Sequence, residues 1–233
     1  MPFFTDEEKK LFKTRTTIGK LKFILGNIKR KCYLFLFKNI SFFKPAYDTQ
    51  HHENPITIKH LFYRNVLRRN RSIYWPIHPS TVINGVQNIY AGIDTSPGLS
   101  NGCYIQAVGK VYIGDYTLIS PNVGIISSNH SLLDSRHHDI GEVNIGKYCW
   151  IGMNSVILPN VTLGDFTIVK AGSIVSKSFP QGYCVVGGNP AVLLKQFPEE
   201  SYHLFTRYRN ETEYNGFIRS DKFEAYRKKH LKI

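Results

Sequence analysis

The fold is decided by the stretch IGKYCWIGMNSVILPNVTLGDF, residues 145–166. A branched aliphatic residue returns at every sixth position of this stretch, at Ile145, Ile151, Ile157 and Leu163. An amphipathic helix would repeat every three or four residues, and a half-buried strand every two. A period of six predicts a three-sided solenoid of short strands, in which about 18 residues complete one coil.

A second column of the repeat holds small residues, at Cys149, Ser155, Val161, Thr167 and Ser173. We predict that the aliphatic side chains stack inside the prism and that the small residues occupy its tight corners. One coil cannot bury its own interior, so several coils must stack. An ordinary β-sandwich is the alternative, but its strands would repeat every two residues.

The hexads form two blocks, about residues 80–128 and 143–192, separated by the excursion SSNHSLLDSRHHDIGEV. They predict a β-helix domain at 76–196, which follows an N-terminal appendage at 1–75 and precedes a C-terminal tail at 197–233. We expect the tail to form one or two helices that cap the open end after the last coil.

Most of the net charge of +13 belongs to the N-terminal appendage, which carries 16 Lys or Arg against 5 Asp or Glu. Such asymmetry favours an anionic partner surface. Residues 9–37 have an apolar helical stripe flanked by lysines, which either lies on an anionic bilayer or packs against protein. The stretch TIKHLFYRNVLRRNR, residues 57–71, predicts a short basic helix.

Two classes of partner or location are not expected. No recognisable nucleic-acid-binding module accompanies the basic residues. No apolar run approaches the roughly 20 residues of a membrane-spanning helix, and the N-terminus lacks the features of a secretory signal. We therefore expect a cytoplasmic protein, with peripheral membrane contact through the basic N-terminus as an open alternative.

Three motifs resemble the hexapeptide-repeat acyltransferases: IGDYTLISPNVGIISSNH, IGKYCWIGMNSVILPNVTLGDFTIVKAGSIVSK and VVGGNPAVLLK. They cover about residues 80–195 and are most similar to the maltose and galactoside O-acetyltransferases and the related polysaccharide O-acetyltransferases. The resemblance implies a mainly β fold, the left-handed parallel β-helix. It also implies acetyl-CoA as co-substrate, a saccharide acceptor, and a homotrimer with active sites between its subunits.

Transfer of an acetyl group from a thioester to a sugar hydroxyl needs a base and a donor that stabilises the oxyanion. His130 stands where the hexads break, and the resemblance implies that it is the catalytic base. The alternative is a surface loop histidine. His137 and His138, in the same excursion, either contact the acceptor or are solvated. Asp134, Asp139 or a backbone carbonyl would orient His130.

Two other residues are candidates for the cleft. Asn122, in SPNVG, matches a family position that hydrogen-bonds the acceptor sugar, and the alternative is a turn asparagine beside Pro121. Trp150 falls in an outward-facing column of the repeat. It either lines the cleft or packs against a neighbouring subunit.

The resemblance implies five residues that bind coenzyme A: Met153 and Ala171 through main chain, Ser176 and Lys177 near the adenosine, and Lys195 near the phosphates. The position after GNPA is often Lys or Arg in the family and is Val192 here. One phosphate contact is therefore missing or supplied elsewhere.

The sequence thus favours an acetyl-CoA-dependent O-acetyltransferase acting on a saccharide hydroxyl, in the biosynthesis of a surface polysaccharide. Three alternatives stay open: an amino-sugar N-acetyltransferase, a metal-dependent hydratase and a non-catalytic solenoid. A hydratase would need three histidines around one zinc ion. We expect no metal, because the four cysteines are widely spaced and the adjacent His137 and His138 would diverge on a strand.

Overall fold

The computed structural model describes residues 35, 38–68, 70–134 and 136–233. They fall into two compact units that divide between Asp48 and Thr49. The first unit contains helix α1 (Lys44–Asp48). None of the helices within these ranges is long and apolar enough to span a lipid bilayer.

The amphipathic helix predicted at 9–37 lies outside the described residues, apart from position 35. The division into 1–75, 76–196 and 197–233 stays a prediction. The short basic helix predicted within 57–71 is confirmed as α2 (Ile58–Asn65).

The second unit is a three-sided prism of short strands, numbered in chain order. The first face contains β1 (Val82–Asn84), β3 (Tyr104–Gln106), β6 (Gly124–Ile126), β11 (Val156–Ile157) and β14 (Ile174–Val175). The second contains β2 (Ile89–Ala91), β4 (Val111–Ile113), β9 (Val143–Ile145) and β12 (Val161–Leu163). The third contains β5 (Leu118–Ile119), β10 (Trp150–Ile151), β13 (Thr167–Val169), β15 (Cys184–Gly188) and the antiparallel β16 (Ala191–Gln196).

Besides helix α2, the second unit contains two hairpins, another α-helix and two 3₁₀ helices. Two antiparallel hairpins stand beside the prism, β7 (Ser128–His130) with β8 (His138–Ile140) and β17 (Tyr214–Asn215) with β18 (Ile218–Arg219). One helix, α3 (Ser220–His230), ends the tail. The 3₁₀ helices span Val86–Asn88 and Glu199–Leu204.

The strand register has the predicted period. Trp150 pairs in parallel with Ile168, one coil of 18 residues later. The aliphatic column of residues 145–166 is buried, with no member more than 3% exposed. Each coil therefore contributes one inward aliphatic side chain per face, and successive coils stack them into one core. The predicted mainly β fold, a left-handed parallel β-helix, is confirmed.

The small residues occupy the corners, as predicted, and they also satisfy backbone groups there. The Ser155 hydroxyl donates to the carbonyl of Lys170 at 3.0 Å, and the Thr167 hydroxyl donates to that of Gly164 at 2.7 Å. Both side chains are fully buried. Since a buried carbonyl without a partner is costly, the hydroxyls fill space and supply hydrogen bonds at once.

Four aromatic residues stack along the corner between the second and third faces: Tyr116, Tyr148, Phe166 and Tyr183. The centroids of neighbouring rings are 4.9 to 5.2 Å apart. All four have φ between 46° and 58°, a region that residues other than glycine rarely adopt. The sharp corner requires this conformation, and ring stacking offsets part of its cost.

The tail covers this aromatic column. Tyr202 stacks on Tyr183 with 3.6 Å between ring centroids, and Tyr208 meets Tyr116 edge-on at 5.0 Å. The tail therefore runs along the prism from its last coil towards its first.

The prediction that the tail caps the last coil is wrong, because helix α3 packs against the first coil. Its Phe223 is buried, with its ring centroid 5.3 Å from that of Tyr74 and 5.8 Å from that of Tyr90. The last coil is extended by β16, which pairs with β15. At the first coil, helix α3 covers the large side chain of Tyr74, which is fully buried.

Asp94 joins three segments of the chain at the first coil. Its carboxylate is fully buried and accepts hydrogen bonds from the backbone N–H groups of Glu53 at 3.1 Å and Asn54 at 3.0 Å. It also accepts from the Asn210 side chain in the tail at 2.9 Å. Asp94 has the corner position that aromatic residues fill in later coils, so the aromatic column ends on this aspartate.

Candidate active site

His130 lies on the hairpin that leaves the prism after β6 and returns before β9. The hairpin is held at its base by Ser127, whose carbonyl accepts from the backbone N–H of Gly141 at 2.8 Å. The Ser127 hydroxyl also accepts from the N–H of Gly109 at 2.9 Å and donates to the carbonyl of Gln106 at 3.0 Å. The prism therefore positions the root of the hairpin, while His130 projects beyond it and is exposed.

A second imidazole faces His130 across the hairpin. His130 pairs with His138 in the strand register, and their ring centroids are 4.5 Å apart. Residues directly opposite each other on antiparallel strands share one face of the sheet. His138 is therefore the neighbour of His130, a contact that sequence reasoning did not assign because the repeat does not encode the hairpin register.

Asp134 makes its contacts within the turn of the hairpin. Its carboxylate forms a two-pronged ion pair with Arg136, at 2.8 and 2.9 Å, and lies 3.0 Å from Nδ1 of His137. Hydrogen bonds from Arg136 lower the pKa of Asp134. His137 thus belongs to the turn, where its imidazole contacts Asp134.

The tip of the hairpin is apolar and exposed. Leu132 and Leu133 have essentially their whole side-chain surface in solvent, and Ile140 is 66% exposed. Two large apolar side chains exposed at the tip of a projecting hairpin are of the kind that marks a contact surface, and Ile140 lies at its base opposite Ser128.

Asn122 lies at the corner between the third and first faces. It has a φ of 58°. Its side-chain Nδ2 donates to Oδ1 of Asn154, one coil later, at 3.1 Å. Gly102 is required beside it, since a Cβ there would lie 2.0 Å from the Asn122 oxygen. Strand β6, roughly 10 Å long at about 3.3 Å per residue, separates this corner from the hairpin. One chain alone does not bring Asn122 and His130 together.

The predicted coenzyme A residues fall in three places. Met153 and Ala171 stack at the Asn122 corner, where the Met153 carbonyl accepts from the N–H of Gly172 at 2.8 Å. Ser176 and Lys177 follow β14, at the corner from which the hairpin leaves the prism. Lys195 lies on β16, with its Nζ 4.4 Å from the ring centroid of Phe197. The fold groups the first pair with Asn122 and keeps Lys195 apart from both pairs.

Trp150 is the remaining candidate for the cleft. Trp150 points outward, as expected, is 51% exposed and donates from its indole N–H to the Ser120 hydroxyl at 3.0 Å. Burial raises the pKa of the Cys149 thiol to about 12, which leaves it protonated and unsuited as a nucleophile. Within the described ranges, no group of three or more His, Cys, Asp or Glu side chains could hold a metal ion.

Comparison with known proteins identifies the family. The profile of the family described as bacterial transferase hexapeptide (six repeats) matches residues 142–177. YJL218W of Saccharomyces cerevisiae (strain ATCC 204508 / S288c), provisionally named an acetyltransferase, is 36% identical over 137 residues. The match covers 57% of this chain and 68% of the yeast protein. The chain belongs to the hexapeptide-repeat acetyltransferase family.

Two further relatives of this hexapeptide-repeat protein are named for a galactoside and for colanic acid biosynthesis. Galactoside O-acetyltransferase of Escherichia coli (strain K12) is 36% identical over 103 residues, covering 41% of this chain and 48% of that protein. WcaF of the same strain, provisionally named a colanic acid biosynthesis acetyltransferase, is 34% identical over 94 residues, covering 40% and 50%. The chain spans about half the length of the first curated relatives that it matches.

A solved structure shares the fold of this hexapeptide-repeat protein. A galactoside acetyltransferase in complex with coenzyme A superposes with a TM-score of 0.53 at 24% identity. The match covers 79% of this chain and 88% of the solved one.

Proposed function

We propose that this protein is an acetyl-CoA-dependent O-acetyltransferase that acts on a saccharide hydroxyl in the biosynthesis of a surface polysaccharide. One observation carries the proposal: an exposed imidazole, His130, projects on a hairpin at the break in a hexapeptide β-helix. The names of the galactoside and colanic acid relatives support a saccharide acceptor. The coenzyme A complex of a structural neighbour supports the donor.

In the proposed mechanism His130 is the general base. An imidazole nitrogen takes the proton of the sugar hydroxyl as its oxygen attacks the thioester carbon. A main-chain N–H of the prism donates to the oxyanion of the tetrahedral intermediate. When the intermediate collapses, the C–S bond breaks, and the imidazolium returns its proton to the leaving thiolate. The products are the acetyl ester and free coenzyme A, and no covalent enzyme intermediate forms.

We also propose a homotrimer in which each active site lies between two subunits. His130 and the Asn122 corner, with Met153 and Ala171, lie at opposite ends of the first face of one chain. In a cyclic trimer the hairpin of one subunit would reach the Asn122 corner of the next, through a contact that joins different surfaces. The exposed leucines at the hairpin tip support this arrangement, because a neighbour would cover them.

The location and membrane contact are also proposals. Residues 1–75 carry 16 basic against 5 acidic residues, which suits electrostatic contact with an anionic membrane surface. We propose a cytoplasmic enzyme with peripheral contact of this kind on the inner face of the membrane.

An acceptor screen tests the reaction. We expect release of free coenzyme A thiol from acetyl-CoA when polysaccharide-derived oligosaccharides are present, and little release with matched amino sugars whose hydroxyls are blocked. Mass spectrometry should find an added acetyl group as an alkali-labile ester. Products that carry only alkali-stable amides would favour the amino-sugar N-acetyltransferase instead.

A further inference from the structure

A cavity of about 310 Å³ lies at the start of the prism, away from the hairpin. It is enclosed by helix α2, the segment that leads into the first coil, and the β17–β18 hairpin. The side chains that matter for its chemistry are His60, Tyr63, Arg64, Asn70, Trp75 and Phe217. This volume is at the lower end of the range of about 300–1,000 Å³ for small-molecule sites.

Helix α2 presents one face to this cavity. His60, Tyr63 and Arg64 are spaced three and four residues apart, which places them on the same side of a helix. Nδ1 of His60 accepts from the backbone N–H of Thr57 at 3.2 Å. Burial, followed by the charge of Lys59, lowers the pKa of His60. The imidazole is therefore neutral near pH 7 and carries its proton on Nε2, where it is a hydrogen-bond donor.

Arg64 is a cation without a counter-ion among the described residues. Its guanidinium lies 4.6 Å from the ring centroid of Phe217, and Nη1 donates to the carbonyl of Ile73. No carboxylate of those residues lies within 4.0 Å of it, and burial lowers its pKa. Lys59 and Arg71 add positive charge nearby. A partly desolvated guanidinium held in place is well suited to pair with a carboxylate.

We propose that this cavity binds a carboxylate-bearing sugar residue of an acidic glycan. The Arg64 guanidinium would take the carboxylate, while His60 and the Asn70 amide bond sugar hydroxyls. The apolar face of the pyranose ring would pack on Tyr63 and Phe217, as ligands do in pockets lined by aromatic residues with few polar groups.

The same cavity would serve as an acceptor subsite for the proposed active site. Strand β1 follows the cavity segment, and β1, β3 and β6 are successive strands of the first face. Two strand spacings correspond to roughly 10 Å along the prism. An acidic oligosaccharide spans this distance. The role as acceptor subsite rests on the proposed function, whereas binding of the acidic sugar does not.

Calorimetry on the full chain tests the site with methyl β-glucuronoside, methyl β-glucoside and inorganic phosphate as probes. We expect the glucuronoside to bind at least tenfold more tightly than either other probe. Arg64→Gln should weaken glucuronoside binding at least tenfold and Arg64→Lys less, while Arg209→Gln, at an exposed arginine of the tail, should leave it unchanged.

Coenzyme A binding and thermal melting, measured on the same variants, show whether each one is folded. Equal affinity for glucuronoside and glucoside, or unchanged binding by folded Arg64→Gln, would overturn the proposal. Equal affinity for phosphate and glucuronoside would overturn its sugar part. An acidic sugar that binds here in a protein without acetyl transfer would leave this site standing and reject the proposed function.

Discussion

Replacement of His130 by alanine is expected to lower the rate of acetyl transfer about 10²- to 10⁴-fold, the usual contribution of a general base. The melting temperature should not change, because the side chain is exposed and its removal opens no buried cavity. Steady-state release of free coenzyme A thiol, together with a thermal melt, measures both quantities.

His137→Ala is the matched control for this variant. His137 lies in the same hairpin and is exposed, but its imidazole contacts Asp134 in the turn. Its replacement should change the rate less than threefold. A His130→Ala protein that turns over at a near-normal rate would reject His130 as the base.

Replacement of Asp94 by alanine is expected to cause the largest loss of stability, about 3–5 kcal/mol in the free energy of unfolding. The change leaves the backbone N–H groups of Glu53 and Asn54 and the amide of Asn210 without their acceptor. It also releases both the segment that leads into the prism and the tail that covers its aromatic corner. In a chain of this size the melting temperature should fall by roughly 10 °C.

Two further variants make the Asp94 result specific. Asp94→Asn keeps one acceptor oxygen and should lose less stability than alanine. Asp221→Ala removes an exposed carboxylate that pairs with Arg219 at 3.3 Å, and should cost less than about 0.5 kcal/mol. If the melting temperature of Asp94→Ala lay within about 2 °C of that of the parent protein, the loss would be below about 1 kcal/mol. The junction of the three segments would then have no energetic role.

The prism could be predicted because the sequence repeats an aliphatic residue at every sixth position. Ile151 and Ile157 recur six residues apart since each face contributes one inward side chain, and both are fully buried. The corner positions followed from the same repeat, since Ser155 and Thr167 are small where space is tight. The hydrogen bonds of their hydroxyls follow only from three-dimensional coordinates.

The sequence predicts where the hairpin leaves the prism but not how its two strands pair. Its position follows from the break in the hexads, and the family resemblance singles out His130 within it. The pairing of His130 with His138 depends on the hairpin turn, where Asp134 pairs with Arg136, and no repeat encodes it. Asn122 illustrates the same limit, because its left-handed corner conformation is compatible with a turn role and with acceptor binding alike.

Long-range junctions were beyond the reach of the sequence. Asp94 and Asn210 are 116 residues apart, and neither belongs to a motif. The tail was expected at the last coil because a solenoid end exposes core there. The contacts of Phe223 with Tyr74 and Tyr90 place its helix at the first coil instead. Side-chain packing between distant segments decides this outcome.

An experimental structure of the protein with bound coenzyme A tests the central claim most directly. We expect a trimer in which the pantetheine arm lies along Met153 and Ala171 of one subunit. The coenzyme A sulfur should lie within reach of the His130 imidazole of the next, with room between them for one hydroxyl. Coenzyme A bound with its sulfur remote from every His130, or hairpins that point away from all neighbouring subunits, would contradict the account.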